Sequence, residues 1–347
     1  MRPLRTFTRP VPAALVLLLG LVALVASAPR PASAVPASYV YWSDGTAGKI
    51  QRADPDGSNV IDVVTGVPGV GDLAVDWKGQ MVYWANTNGK VQRAPLASGT
   101  PEDIVTGLNV VNDLALDLAN GKVYWADNTD GKVQRANLDG SAVEDVVLLL
   151  TWPTIAVDSA SGKLYYSTLD EIWRANLNGS GATQVASTSE FAVMNIAFDA
   201  AGNKIYWAGY TPAFMAPSCG HGSIGRATPG GPGEGLASTN NVRSIAVDAG
   251  GGRVYWADNA APCGPPPPVG EPKIVSANLD GSDAVDVNTS ISSGDGVALG
   301  GPQPVGGVTE LSDVASGGTD APWLVAVALA TVGVIAAVLL GRRSARA

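Results

Sequence analysis

Between residue 39 and about residue 300, hydrophobic and polar positions alternate with a period of two in short runs, each ended by a turn that contains Gly, Asn or Asp. The stretch KVYWADNTDGKVQRANLDG, residues 122–140, is representative. Val123 and Trp125 alternate with Tyr124, a turn follows, Val133 and Arg135 alternate with Gln134, and Asp139-Gly140 turns the chain again. Such a pattern predicts short antiparallel strands. A lone hairpin of this kind is marginal in water, so it must lean on other sheets.

The pattern repeats. Tyr-Trp pairs stand at 41–42, 83–84, 124–125, 206–207 and 255–256, with Tyr165-Tyr166 in the remaining gap, at spacings of 42, 41, 41, 41 and 49. A second series keeps step: LAVD 73–76, LALD 114–117, IAVD 155–158, IAFD 196–199, IAVD 245–248 and a degraded GVAL at 296–299. A third follows each aromatic pair: KIQRA, KVQRA, KVQRA, EIWRA, SIGRA and KIVSA. A period near 40 with several strands per unit points to a propeller or a stacked array. One unit parses as strands A (154–158), B (163–168), C (171–177) and D (182–187), with Asn178-Gly179 read as a two-residue hairpin turn between C and D. Asp56-Gly57, Asp139-Gly140 and Asp280-Gly281 read the same way.

Closure is written in the ends. The repeats begin at a B strand, YVYWSD, with no A strand before it, and finish at GDGVALGG, an A strand with no B strand after it. Their pairing completes six blades and removes the open edge. The second residue of the A motif is Ala74, Ala115, Ala156, Ala197 and Ala246, with Val297 as the exception, and small residues suit strands that converge on an axis. The expected fold is all-β, a six-bladed β-propeller over residues 35–300. Over residues 39–300 the chain resembles the six-bladed YWTD β-propellers of the low-density-lipoprotein-receptor type; its six tetrapeptides read YWSD, YWAN, YWAD, YYST, YWAG and YWAD.

The flanks change the picture from a free domain to an anchored one. Residues 1–34 carry Arg2, Arg5 and Arg9, an apolar run and Ala32-Ser33-Ala34, which read as a secretory signal peptide. Residues 301–322 are a Gly/Pro/Ser-rich linker. Residues 323–341 hold the uncharged run WLVAVALATVGVIAAVLL, read as one C-terminal transmembrane helix, and 342–347 form a short basic tail whose Arg342, Arg343 and Arg346 mark the cytoplasmic side. The expectation is a single-pass cell-membrane protein with its N-terminal domain extracellular and its C-terminus cytoplasmic. Seven of the 22 basic residues lie in those flanks, leaving 15 against 31 acidic residues, a net of −16 for the part between. A surface that acidic repels phosphate backbones, so nucleic acid is not an expected partner.

Polar residues common to every blade read as scaffold. Arg52, Arg93, Arg135, Arg174 and Arg226 recur on strand C, with Asp44, Asp127 and Asp258 on strand B beside them, a pairing expected to form charge-assisted hydrogen bonds. Asp76, Asp117, Asp158, Asp199 and Asp248 end the A strands, where a carboxylate can accept turn amides. Residues that differ between blades are the candidates for function. Asp72, Asp113, Thr154, Asn195, Ser244 and Asp295 open the A strands and are expected to ring the channel mouth, where they either serve backbone groups and water or bind a ligand. On the same face lie two long B–C loops, GYTPAFMAPSCGHGS and NAAPCGPPPPVGEP, each with one of the two cysteines. In an exported chain Cys219 and Cys263 read as a disulfide stapling a stiff ridge beside the mouth.

Catalytic signals are sparse. His221 is the sole histidine and falls in a loop, HGSIG lacks the first glycine of a nucleophile elbow, and no phosphate or dinucleotide fingerprint occurs. The preferred reading is a membrane-anchored, non-enzymatic binding or scaffold module, without a cofactor, for an extracellular or cell-envelope protein, peptide or glycan. The alternative, by analogy with other six-bladed propellers, is a Ca²⁺-dependent hydrolase or lactonase with Asp72, Asp113 and Asp295 about a channel metal.

Overall fold

The computed structural model describes residues 39–97, 100–148, 152–188, 191–211, 221–259 and 270–301. The expected signal peptide, the transmembrane run, the basic tail, all of the linker after Gly301, and both Cys219 and Cys263 lie outside the described residues. Among the described residues no helix is long and apolar enough to cross a membrane.

These residues form six four-stranded antiparallel sheets. Blade 1 holds β1 (Tyr39–Asp44), β2 (Lys49–Ala53) and β3 (Ile61–Thr65). Blade 2 runs β4 (Val70–Asp76), β5 (Met81–Asn86), β6 (Lys90–Pro95), β7 (Glu102–Thr106), and blade 3 runs β8 (Val111–Asp117), β9 (Lys122–Asp127), β10 (Lys132–Asn137), β11 (Glu144–Leu148). Blade 4 comprises β12 (Ile155–Asp158), β13 (Lys163–Thr168), β14 (Glu171–Asn176) and β15 (Thr183–Ser187). Blade 5 comprises β16 (Ala192–Asp199), β17 (Lys204–Thr211), β18 (His221–Ala227) and β19 (Glu234–Thr239). Blade 6 comprises β20 (Asn241–Asp248), β21 (Arg253–Asn259), β22 (Lys273–Asn278) and β23 (Val285–Asn288), and β24 (Gly296–Gly300) returns to blade 1 as its A strand. His221 therefore opens a strand, because the blade 5 hairpin continues further than its Gly and Pro content predicts.

The terminal strands close the disc. β24 pairs with β1 in the register Tyr39↔Gly300, Tyr41↔Ala298 and Trp42↔Val297. That register corrects the A-motif alignment by one residue. Ala298 faces Tyr41 just as Ala74 faces Tyr83 and Ala115 faces Tyr124, so the alanine recurs in all six blades and Val297 is no exception.

Alternation explains why Tyr and Trp come as a pair. Adjacent residues of a strand point to opposite faces, so each B strand sends its Tyr to one neighbouring blade and its Trp to the other. Six buried clusters result. Tyr41 shares one with Trp84, Tyr83 with Trp125, Tyr124 with Tyr166, Tyr165 with Trp207, Tyr206 with Trp256, and Tyr255 with Trp42. The last joins blade 6 to blade 1.

Polar groups brace the strands of each blade and tie neighbouring blades together. In blades 1 to 3 the indole N–H of Trp42, Trp84 and Trp125 donates to Gln51, Gln92 and Gln134, whose amides donate to Asp62, Asp103 and Asp145 on the D strand. The strand C arginines do not pair with the motif aspartates. Arg93, Arg135 and Arg226 bind Glu102, Glu144 and Glu234 at 2.6–2.8 Å and donate to the carbonyls of Leu138, Leu177 and Leu279 in the next blade. Register is the reason: Arg135 lies opposite Tyr124 and Glu144, whereas Asp127 lies opposite Lys132. Asp44, Asp127 and Asp258 instead accept amides of neighbouring loops, from Ser292, Thr129 and Asn241 among others.

The turns between C and D are longer than two residues. Gly140 N–H donates to Asn137 in a tight turn, Ser141 then donates to Asp139, and β11 starts only at Glu144. Gly140 has φ +83°, and a Cβ there would sit 1.9 Å from the carbonyl oxygen of Ile104 on the preceding blade. Ile104 is the extra residue of a β-bulge on β7, between Asp103 and Val105. The bulge distorts the outer edge and offers its carbonyl to the neighbour's turn.

Candidate functional site

In a propeller the D–A and B–C connections meet at one end of the channel, and the A strands line it. The A strands of blades 2, 3, 5 and 6 begin three or four residues earlier than their LAVD-type motifs predict and carry an irregularity there, between Val70/Leu73, Val111/Asp113, Val193/Asn195 and Val242/Ser244. The irregularity separates two tiers of residues.

The inner tier contains Asp72, Asp113, Thr154, Asn195 and Ser244, all buried. Each lies two residues before the A-strand alanine, and by that register the sixth member is Gly296, not Asp295. These side chains hand hydrogen bonds around the channel. Asp72 accepts the Leu114 amide, Asp113 Oδ2 accepts the Ile155 amide at 2.8 Å, Asn195 Oδ1 accepts that of Ile245 at 3.1 Å, and Ser244 Oγ accepts that of Val297 at 3.0 Å. Thr154 breaks the sequence and bonds Ser167. Gly296 offers no side chain, and a Cβ there would meet the Asp72 Cα at 2.8 Å. Ser244 reaches past it and donates to Asp72 Oδ1 at 3.0 Å. The ring thus satisfies backbone groups, one of the two roles the sequence leaves open for it.

Charge in the inner tier is unusual. Burial pushes the Asp72 carboxyl up to about 6, against bonds from Asp113, Ser244 and backbone amides. Burial also raises Asp113 well above the carboxylate range, and the adjacent Asp72 charge raises it further. Asp113 Oδ1 has no hydrogen-bond partner. Asp295 stands apart from the pair: half-buried, it accepts the Gly45 amide at 3.1 Å and the Ser293 hydroxyl at 2.7 Å. Among the described residues no group of three or more His, Cys, Asp or Glu side chains could hold a metal ion.

The outer tier lies one residue earlier and, except in blades 2 and 4 where Gly71 and Pro153 are buried, reaches solvent. Asn112 and Arg243 are exposed, while Met194 and Asp295 are half-buried. Arg243 makes no hydrogen bond or ion pair with a described residue, unlike Arg93, Arg135 and Arg226 on the C strands. On the same face, the loop into blade 4 carries Trp152, 63% exposed at φ +37°, close behind Leu148, 77% exposed. A left-handed backbone at a large aromatic residue is strained, and strain of this kind concentrates at functional positions. Sequence reasoning missed these residues. Asn112, Met194 and Arg243 interrupt the polar/apolar alternation just before each A motif, which was the available signal.

No protein-family model matches the sequence, and no curated protein matches it. Solved structures do. A chain from the crystal structure of a nidogen/laminin complex aligns with 76% of this chain and 99% of its own length, at a TM-score of 0.62 and 18% identity. TolB from Acinetobacter baumannii aligns with 76% of this chain and 66% of its own length, at a TM-score of 0.59 and 13% identity. At such identities the likeness carries the fold, which is the six-bladed propeller that the Tyr-Trp repeats imply.

Proposed function

We propose that this six-bladed propeller of YWTD-type repeats is a membrane-anchored extracellular binding module that takes a protein, peptide or glycan on the face bearing the channel mouth. One observation carries the reading. The domain begins and ends side by side, Tyr39 opposite Gly300, at the far end of the A and B strands from the D–A and B–C connections. A C-terminal anchor would hold the disc by that opposite face and leave the mouth turned outward. The mouth then presents what a partner needs: Arg243, without a partner among the described residues, the exposed Asn112, and the exposed Trp152 and Leu148. Aromatic and arginine side chains of this kind are the usual anchors of protein interfaces.

In a domain of strongly acidic balance, an exposed guanidinium at the mouth favours an acidic group on the partner, which it can bind through two parallel hydrogen bonds. The likeness to a chain from a complex between nidogen and laminin supports a binding role for the fold. The channel carboxylates serve the scaffold in this reading, which makes the domain non-enzymatic. The test is capture of a partner by the soluble ectodomain, residues 35–322, followed by titration of variants against it. Arg243→Glu is expected to weaken binding at least tenfold and Val60→Ser, on a C–D turn of the opposite face, to leave it unchanged. Equal affinity of both variants with the parent would refute the assignment.

A further inference from the structure

Asp72 and Asp113 sit side by side in the channel ring, 6% and 2% exposed, with their carboxyl groups within hydrogen-bonding reach. Asp72 Oδ1 takes the Ser244 hydroxyl and Asp113 Oδ2 takes the Ile155 amide, while Asp113 Oδ1 lacks a donor. Among the described residues no cation pairs with them. On the strands packed against β4 and β8, the remaining charged and titratable groups are committed elsewhere. Asp44 accepts Ser292 and Ser293, Asp127 accepts Thr129 and Asp130, Asp76, Asp117 and Asp158 accept their own turn amides, and Lys122 donates to Asn137. Asp295 is held by Gly45 and Ser293, Arg52 lies over the Tyr39 ring, and the phenols of Tyr41, Tyr83 and Tyr124 are pushed up by burial. Arg243, one residue from Ser244, is exposed.

Two adjacent buried carboxylates repel. One proton between them turns the repulsion into a hydrogen bond and supplies the donor that Asp113 Oδ1 lacks. We propose that Asp72 and Asp113 hold a shared proton that locks the channel ring, closed in acid and released as the medium turns alkaline. The proton sits on Asp113 Oδ1, the carboxyl oxygen with no other partner, and Asp72 accepts from it. Both groups lie above their unfolded values, so their stabilisation is full below about pH 4 and is lost as pH rises through the raised range of the pair, about 6 for Asp72. Loss of the proton sets two charges at the junction of blades 2 and 3, where these carboxylates hold the amides of Leu114 and Ile155.

The test is hydrogen exchange of the Leu114 and Ile155 amides in the full chain in detergent, corrected for intrinsic rates, between pH 6 and 8. The opening equilibrium is expected to rise by up to about tenfold per pH unit. Asp113→Asn keeps a donor toward Asp72 and an acceptor for Ile155, and is expected to abolish the slope. Should that variant fail to fold, Asp72→Asn makes the same test from the other side. A flat wild-type profile, or an unchanged slope in the variant, would overturn the proposal. So would full restoration of protection by CaCl₂ at pH 8, because a cation would then be the native partner of the pair.

Discussion

Tyr255 of blade 6 and Trp42 of blade 1 are buried in one apolar cluster, although they stand at opposite ends of the repeat series. Their contact makes the sixth interface the equal of the other five. A Trp42→Ala exchange is therefore predicted to destabilise the whole disc by about 3–5 kcal/mol, the usual cost of emptying a large aromatic site. Trp125→Ala, in the middle of the chain, should cost the same. Chemical denaturation checks this: an open array would lose far less at its end than in its interior.

Gly140 and Gly121 separate backbone strain from contact. Both have positive φ, +83° and +63°, but a Cβ at Gly121 meets open space whereas one at Gly140 would overlap Ile104. Gly121→Ala is expected to cost about 1–2 kcal/mol from the left-handed backbone alone. Gly140→Ala should cost distinctly more, since the hook between blades 2 and 3 must move. Thermal melts of the two variants decide it.

Arg135 joins Glu144, Tyr124 and the carbonyl of Leu177 in the next blade. Arg135→Ala removes a charged donor from the last two, leaving only the Tyr124 hydroxyl on the Leu177 carbonyl, and is predicted to lose about 1–3 kcal/mol. Glu144→Gln touches only the exposed half of the arrangement and should lose no more than about 1 kcal/mol. The reverse order in urea titrations would show that the ion pair, rather than the link between blades, is what matters.

Stability should peak in mild acid. Asp62 and Asp103 are held below their ordinary value by Lys49 and Lys90, and Glu144 and Glu234 by Arg135 and Arg226, so their contribution is lost as pH falls below about 4. Asp72, Asp113 and Asp258 are raised chiefly by burial and act on the other arm, losing stabilisation as pH rises above the ordinary carboxylate range, for Asp72 through about 6. A melting-temperature profile from pH 3 to 9 is expected to show a maximum near pH 4–5 with a decline on both sides.

The blade architecture was legible because its causes are local and repeated. Alternation, Tyr-Trp spacing and turn glycines each occur six times or nearly so, and unmatched ends imply closure. What the sequence did not show depends on register between distant strands. The degraded GVAL motif hid a one-residue offset, so Asp295 was placed in the inner ring where Gly296 stands. The partners of the strand C arginines were misplaced for a related reason: Asp127 is close in sequence terms, but the ladder sets Arg135 against Glu144. The solvent-facing Asn112, Met194 and Arg243 depend on bulges, which leave no fixed mark in composition.

The most direct test of the binding reading is a footprint of the captured partner on the propeller by hydrogen–deuterium exchange. The account predicts protection around Asn112, Trp152, Met194 and Arg243, with the C–D turns near Val60, Val143 and Val285 unchanged. Protection of those turns, with the channel mouth left exchanging freely, would contradict it.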